Sequence, residues 1–138
     1  MFPASTRILV VDDLKTIRVL LGENLRKLGY SQIDEAGDGN AALQMLTQAH
    51  QDGAPYGLII ADWNMPGMTG LELLEARNAD PKLNSTPFLM VTIESEREYV
   101  LKAIAMGVND FIVKPFSEKT LQGKMQSIFD RIKKRANF

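Results

Sequence analysis

Residues Gly57 to Gly70, GLIIADWNMPGMTG, decide how the rest of the chain is read. An apolar run, Leu58 to Ala61, delivers one carboxylate, Asp62, into a loop punctuated by Pro66, Gly67 and Gly70. A short continuous apolar run bounded by turn signals reads as a strand buried on both faces, the kind found in parallel sheets. Asp62 then stands at the carboxyl end of that strand, outside which open parallel sheets place their ligands. The plainer alternative, an Asp that serves only a turn, is weighed against the other stretches of the chain.

Ile8 to Val11 is a second short apolar run, and it too ends in carboxylates, Asp12 and Asp13. Leu14, Ile17, Leu21, Leu25 and Leu28 follow at helical spacing, with Gly29 as the stop. Gln32 to Ala36 reads as a weaker strand, and Ala41 to Ala49 as a second helix after the turn at Asp38 and Gly39. Beyond the Asp62 strand, Gly70 to Arg77 reads as a short helix and residues 78–87 as a turn-rich connector. Phe88 to Val91 is a fourth strand ending at Thr92, Glu96 to Met106 a fourth helix, and Asp110 to Val113 a fifth strand ending in Lys114 and Pro115. Ser117 caps a last helix whose apolar stripe is Leu121, Met125, Ile128 and Ile132. Gly123 within it marks either a close backbone approach or simple tolerance. Strands alternating with helices predict an α/β fold, a parallel sheet with helices on both faces.

With 138 residues the expectation is one domain over 1–138, with its core in 7–132. Sixteen Lys plus Arg against seventeen Asp plus Glu leave a net charge of −1, so no overall field recommends nucleic acid or a membrane surface. The basic RIKKR run at 131–135 is the solvated end of a helix, its cations complementing the helix dipole. There is no Cys, which excludes a disulfide framework and thiolate metal sites. No apolar run reaches the ~20 residues of a membrane span, and the start has no signal-peptide pattern. A soluble cytoplasmic monomer is expected.

Aligned parallel strands bring Asp12, Asp13, Asp62, Thr92 and Lys114 to one crevice. Like charges ~4 Å apart in a partly buried site repel by kilocalories, and a hard divalent cation offsets that. Mg²⁺ prefers oxygen ligands and is held by one or two carboxylates plus phosphate oxygens, which matches this set better than calcium does. Lys114 adds a point charge and Thr92 a hydroxyl, suited to the other oxygens of a phosphoryl group. An aspartate carboxylate can attack phosphorus and carry the group as an acyl phosphate.

The chain resembles the receiver domains of two-component response regulators, and among them the single-domain chemotaxis regulators. The stretches that carry the resemblance are VVDD at 10–13, EAGDGNAAL at 35–43, DWNMPGMTGLELL at 62–74, MVT at 90–92 and VKPF at 113–116. It implies a five-stranded sheet in the order 2-1-3-4-5, with Asp62 as phosphoryl acceptor. It further implies Mg²⁺ ligation by Asp13, Asp62 and the Asn64 carbonyl, with Asp12 acting through water. Thr92 matches the switch hydroxyl, Lys114 the phosphoryl-contacting lysine, and Lys114-Pro115 a cis bond. The implied partners are a histidine kinase, an output protein such as a flagellar motor switch, and a phosphatase. Arg97, Phe111 and Lys124 match partner-binding positions. Two departures stand out: Phe111 replaces the switch tyrosine and has no hydroxyl, and Ile93 is larger than the small residue common after the switch Thr.

Other classes remain. A phosphate sink or a regulator of another pathway would use the same site. A Mg²⁺-dependent aspartyl-phosphate phosphatase needs a second Asp two residues on as general acid, and Asn64 stands there. A flavin protein of the same topology needs a phosphate-cradling loop after the first strand, where Asp12 and Asp13 would repel it.

Overall fold

The computed structural model describes residues 1–93 and 97–136, so Glu96, the expected start of the fourth helix, lies outside the described residues, as does the Arg97 side chain. The order along the chain is β1 (Ile8–Val11), α1 (Lys15–Lys27), β2 (Ile33–Ala36), α2 (Gly39–Gln51), β3 (Leu58–Asp62), α3 (Gly70–Ala79), β4 (Phe88–Ile93), α4 (Arg97–Ala105), β5 (Asp110–Lys114) and α5 (Glu118–Ala136). All strand pairs are parallel and the sheet order is β2-β1-β3-β4-β5.

The continuous apolar runs of β1, β3 and β4 reflect burial on both faces. Because side chains alternate along a strand, Ile8, Val10, Leu58, Ile60, Leu89 and Val91 pack with α1 and α5 through Leu21, Leu25, Leu121 and Met125. The intervening Leu9, Val11, Ile59, Ala61, Phe88 and Met90 pack with α2, α3 and α4 through Leu46, Leu74 and Ala103.

Local chemistry sets the ends of the helices. Asp38 caps α2, its side chain accepting from Ala41 N at 2.8 Å, so this helix begins at Gly39, two residues before the apolar pattern does. Thr69 and Glu72 form a reciprocal capping box on α3. Ser117 Oγ accepts from Thr120 N at 3.1 Å, as the sequence led one to expect. Gly29, at φ +102°, stops α1 in a conformation that favours glycine.

The structure corrects one sequence reading and resolves another that was left open. Leu14, counted in the apolar stripe of α1, is the N-cap and is 54% exposed. The Asp12 carboxylate accepts the Leu14 N–H at 2.9 Å, which fixes the backbone before the helix begins and leaves that side chain in water. Gly123 meets nothing within 4 Å at a built Cβ, so it is tolerated rather than required for close approach.

At the amino end of the sheet, Arg7 ties three segments together. Its guanidinium pairs with Asp34 at 2.9 Å, lies 4.4 Å over the Tyr56 ring, and donates to Ala54 O, while Tyr56 Oη donates to Asp34 at 2.6 Å. That network anchors the connection into β3. The carboxyl edge is left to the polar residues.

Candidate functional site

Adjacent parallel strands set Val11 beside Ala61 and Asp62 beside Val91, so β1 and β3 run out together and their terminal carboxylates meet. Asp12, Asp13 and Asp62 each present an oxygen within 4.8 Å of the others. Asp12 is fully buried, Asp62 is 9% exposed and Asp13 is exposed. One hard-oxygen edge therefore faces solvent through Asp13 while its floor is dry. That donor set fits a small divalent cation such as Mg²⁺, which would keep waters on its open side. Asn64, whose carbonyl the resemblance adds to the set, is exposed next to this edge.

Lys114 reaches the same carboxylates from β5. Its ammonium lies 3.0 Å from Asp12 Oδ2 and 3.5 Å from Asp62 Oδ1. Val113 and Lys114 stand opposite Thr92 and Ile93 in the β4–β5 register, which carries both Thr92 and Lys114 to the carboxyl edge. Thr92 is buried, and its hydroxyl donates to Ile93 O at 3.3 Å. The sequence ended the fourth strand at Val91, two residues short, and the fifth at Val113, one short; both Thr92 and Lys114 belong to the ladder. The Lys114-Pro115 peptide is cis, as the resemblance implies.

The electrostatics follow from burial. Desolvation is the largest influence on Asp62, and with repulsion from Asp12 and Asp13 it outweighs the attraction of Lys114, pushing the Asp62 carboxyl up to about 6. It is ionised at neutral pH but at a cost in free energy. Such a strained acid beside a fixed cation is a group whose charge can be satisfied by something added to the site.

Gly70 shapes the loop after Asp62. A Cβ there would lie 2.3 Å from the Asp62 carbonyl oxygen and 2.9 Å from Trp63 Cα, so only glycine lets α3 start against the end of β3. Gly70 N donates to Trp63 O at 2.9 Å, and Trp63 N donates to Val91 O at 2.8 Å. The backbone that carries Asp62 is thus clamped on both sides.

The positions expected from the resemblance to bind a partner are differently placed. Phe111 is half-buried on β5. Lys124 is not a free surface cation: its ammonium is 3.3 Å from Asp110 Oδ1 and 4.9 Å over the Phe111 ring. Arg131 holds the other Asp110 oxygen at 2.9 Å.

Several residues at or near the site escaped the sequence reading. Arg18 of α1 donates to Asp12 O at 2.6 Å and to Glu35 Oε1 at 2.9 Å, holding the acidic turn from behind. Tyr99 of α4 stacks on Trp63 with ring centroids 4.8 Å apart and planes 22° apart. Arg77, read only as a helix end, is buried and donates to Thr86 O at 3.0 Å and Gly107 O at 3.3 Å. Glycine and arginine at a helix end are sequence signals for packing or capping; nothing in sequence ties Tyr99 to Trp63.

Comparison with known proteins agrees with this geometry. The model for the response regulator receiver domain matches residues 8–126. The chain is 44% identical over 126 residues to the chemotaxis protein CheY of Pseudomonas aeruginosa, covering 91% of this chain and 98% of that one. It is also 44% identical over 126 residues to the chemotaxis protein CheY-3 of Vibrio cholerae, covering 91% and 93%. The solved structure of the chemotaxis response regulator CheY4 of Vibrio cholerae superposes with a TM-score of 0.79 at 34% identity, covering 90% of this chain and 98% of that one. Strand order, acidic edge and opposing lysine lead to the same place as these likenesses: the chain belongs to the family of response regulator receiver domains.

Proposed function

We propose that this receiver accepts a phosphoryl group on Asp62 from a phosphohistidine of a histidine kinase and signals by a changed protein-binding surface in chemotaxis. The observation that carries the reading is the Asp62 carboxylate, ionised against its preference, 3.5 Å from Lys114 Nζ and among the oxygens of Asp12 and Asp13. An Asp62 oxygen attacks phosphorus, the P–N bond to the donor imidazole breaks, and the imidazole nitrogen leaves with its electron pair and a proton from water. Lys114 then turns part of its attraction from Asp62 to the phosphoryl oxygens, and the Thr92 hydroxyl, at the adjacent strand end, donates to another. Asp13, Asp62 and the Asn64 carbonyl, with Asp12 through water, would hold Mg²⁺, whose charge would offset that on the transferring group. The protein's part is positioning and electrostatics.

Asn64 in place of a second acid supports acceptor chemistry over turnover of phosphate esters. The output surface lies beside Phe111, where a groove of about 790 Å³ is lined by Ile93, Leu101, Ile104, Phe111 and Val113. Leu101 and Ile104 are 71% and 50% exposed, more apolar surface than solvent favours. Arg97, Phe111 and Lys124 are the polar and aromatic contacts proposed there, with a flagellar motor switch as the output protein; the names of the relatives, chemotaxis proteins, support a role in chemotaxis. None of the helices among the described residues is long and apolar enough to cross a membrane.

Incubation with acetyl phosphate and Mg²⁺ should add one phosphoryl mass to the parent and none to Asp62→Asn. Full labelling of that variant would move the acceptor elsewhere. A pull-down with and without beryllofluoride then reads the output: capture of a motor-switch protein only with the mimic supports the chemotaxis role, and equal capture in both arms argues against it.

A further inference from the structure

Trp63 follows the acceptor directly and is held at both backbone faces, by Val91 O at 2.8 Å and by Gly70 N at 2.9 Å. Trp63 is 9% exposed, and Tyr99, from the first turn of α4, stacks on its ring. A stacked aromatic pair has a preferred offset and spacing, so its stabilisation falls when one ring slides across the other. Trp63 is the fixed partner. Tyr99 is the movable one, being 48% exposed and carried by a helix whose outer face, Leu101 and Ile104, is 71% and 50% exposed.

The far end of α4 is tethered separately. Asn78 Nδ2 donates to Met106 O at 2.7 Å and the Arg77 guanidinium to Gly107 O at 3.3 Å, so α3 grips the carbonyl end of α4. The helix is thus pinned at its C-terminal end and held at its N-terminal end by a ring contact beside the acceptor. Thr92 and Ile93 precede Tyr99 by only seven and six residues, so a shift of the end of β4 toward a group on Asp62 acts on the same end of α4.

We propose that Tyr99 is a positioning residue of the switch: its stack on Trp63 holds α4 in the arrangement seen here, and a phosphoryl group on Asp62 must displace that stack. The pair couples the site to α4 by ring contact, on a chain where Phe111 has no hydroxyl with which to hold a second position. The inference rests on Asp62 being the acceptor. By linkage, a contact made in only one of two arrangements changes the affinity of any ligand that selects the other, whereas a contact made in both changes nothing.

The experiment titrates parent, Tyr99→Ala and Tyr99→Phe with beryllofluoride at fixed Mg²⁺ by calorimetry, and measures acrylamide quenching of Trp63, the chain's single tryptophan. Tyr99→Ala should bind beryllofluoride about two- to tenfold more tightly, the range that one aromatic pair represents, while Tyr99→Phe, which keeps the ring, binds as the parent does. Quenching should rise in the parent when beryllofluoride binds, and be high from the outset in Tyr99→Ala. Tyr99→Leu, which keeps apolar cover without the stack, should follow the Ala variant in affinity and serves if the latter unfolds. Affinity unchanged or weaker in the Ala and Leu variants overturns the proposal, as does equal tightening by Phe and Ala. If the parent itself binds no beryllofluoride, the acceptor assignment of Asp62 fails, and this inference with it.

Discussion

Asp62→Asn should make the protein more stable at neutral pH. Burial and the neighbouring Asp12 and Asp13 raise the Asp62 carboxyl from 3.8 to about 6 even with Lys114 beside it. A folded-state value above the unfolded one means that the native protein binds the extra proton between those two pH values. Stability from this group is therefore fully present below about pH 3.8 and is lost as pH rises through about 6. Two units correspond to about 3 kcal/mol, an upper bound, since water at the Asp13 side screens the charge; about 1–2 kcal/mol is expected. The amide keeps the shape and removes the charge, and Lys114 keeps Asp12 at 3.0 Å. Urea unfolding followed by tryptophan emission, with chelator present, should show a variant more stable by that amount at pH 7.5, or by about 4–8 °C in Tm. Near pH 4 the gap should close. A variant no more stable than the parent at pH 7.5, or a gain equal at both pH values, would refute the claim that an uncompensated charge sits at this position.

Four further outcomes test other parts of the site. Gly70→Ala should cost about 1–3 kcal/mol and slow acetyl phosphate labelling, because its Cβ would lie 2.3 Å from the Asp62 carbonyl oxygen; parent-like stability and labelling would show that the loop can yield. Lys114→Ala should retain Mg²⁺ binding by calorimetry yet lose most of the beryllofluoride-dependent rise in partner affinity, and a normal rise would remove the lysine from the switch. Ile93, 46% exposed at the end of β4, should on truncation to Ala speed both labelling and spontaneous dephosphorylation in stopped-flow measurement; unchanged rates would reject crowding by this side chain. Titration with Mg²⁺ should perturb Trp63 emission at pH 7.5 and do so more weakly near pH 5, since the carboxylates must be ionised to bind the ion. A response independent of pH would argue against carboxylate ligands.

The sheet was legible in the chain because both faces of β1, β3 and β4 are covered, which makes their runs continuously apolar and lets the polar residue after each run stand out. Asp12, Asp62 and Thr92 are such residues, Lys114 ends the less buried β5, and parallel order brings all four to one edge. Helix ends were less legible where a side chain rather than the apolar stripe decides them, as at Asp38, which starts α2 early, and at Leu14, where the Asp12 carboxylate claims the backbone before α1 begins. The burial of Arg77 was invisible because neutral oxygens, not carboxylates, satisfy it: the backbone carbonyls of Thr86 and Gly107, which carry no residue type, and the Asn78 side-chain amide, which reads as a turn residue. Lys124 reads as a solvated lysine until β5 brings Asp110 and Phe111 beneath α5. Local sequence thus determines which residues end the strands, since burial and periodicity are properties of neighbours in the chain. What those residues experience depends on groups far apart in sequence: how much water reaches Asp62, which carboxylate holds Lys114, which ring lies on Trp63. Only tertiary packing decides that, because desolvation and contact act through space.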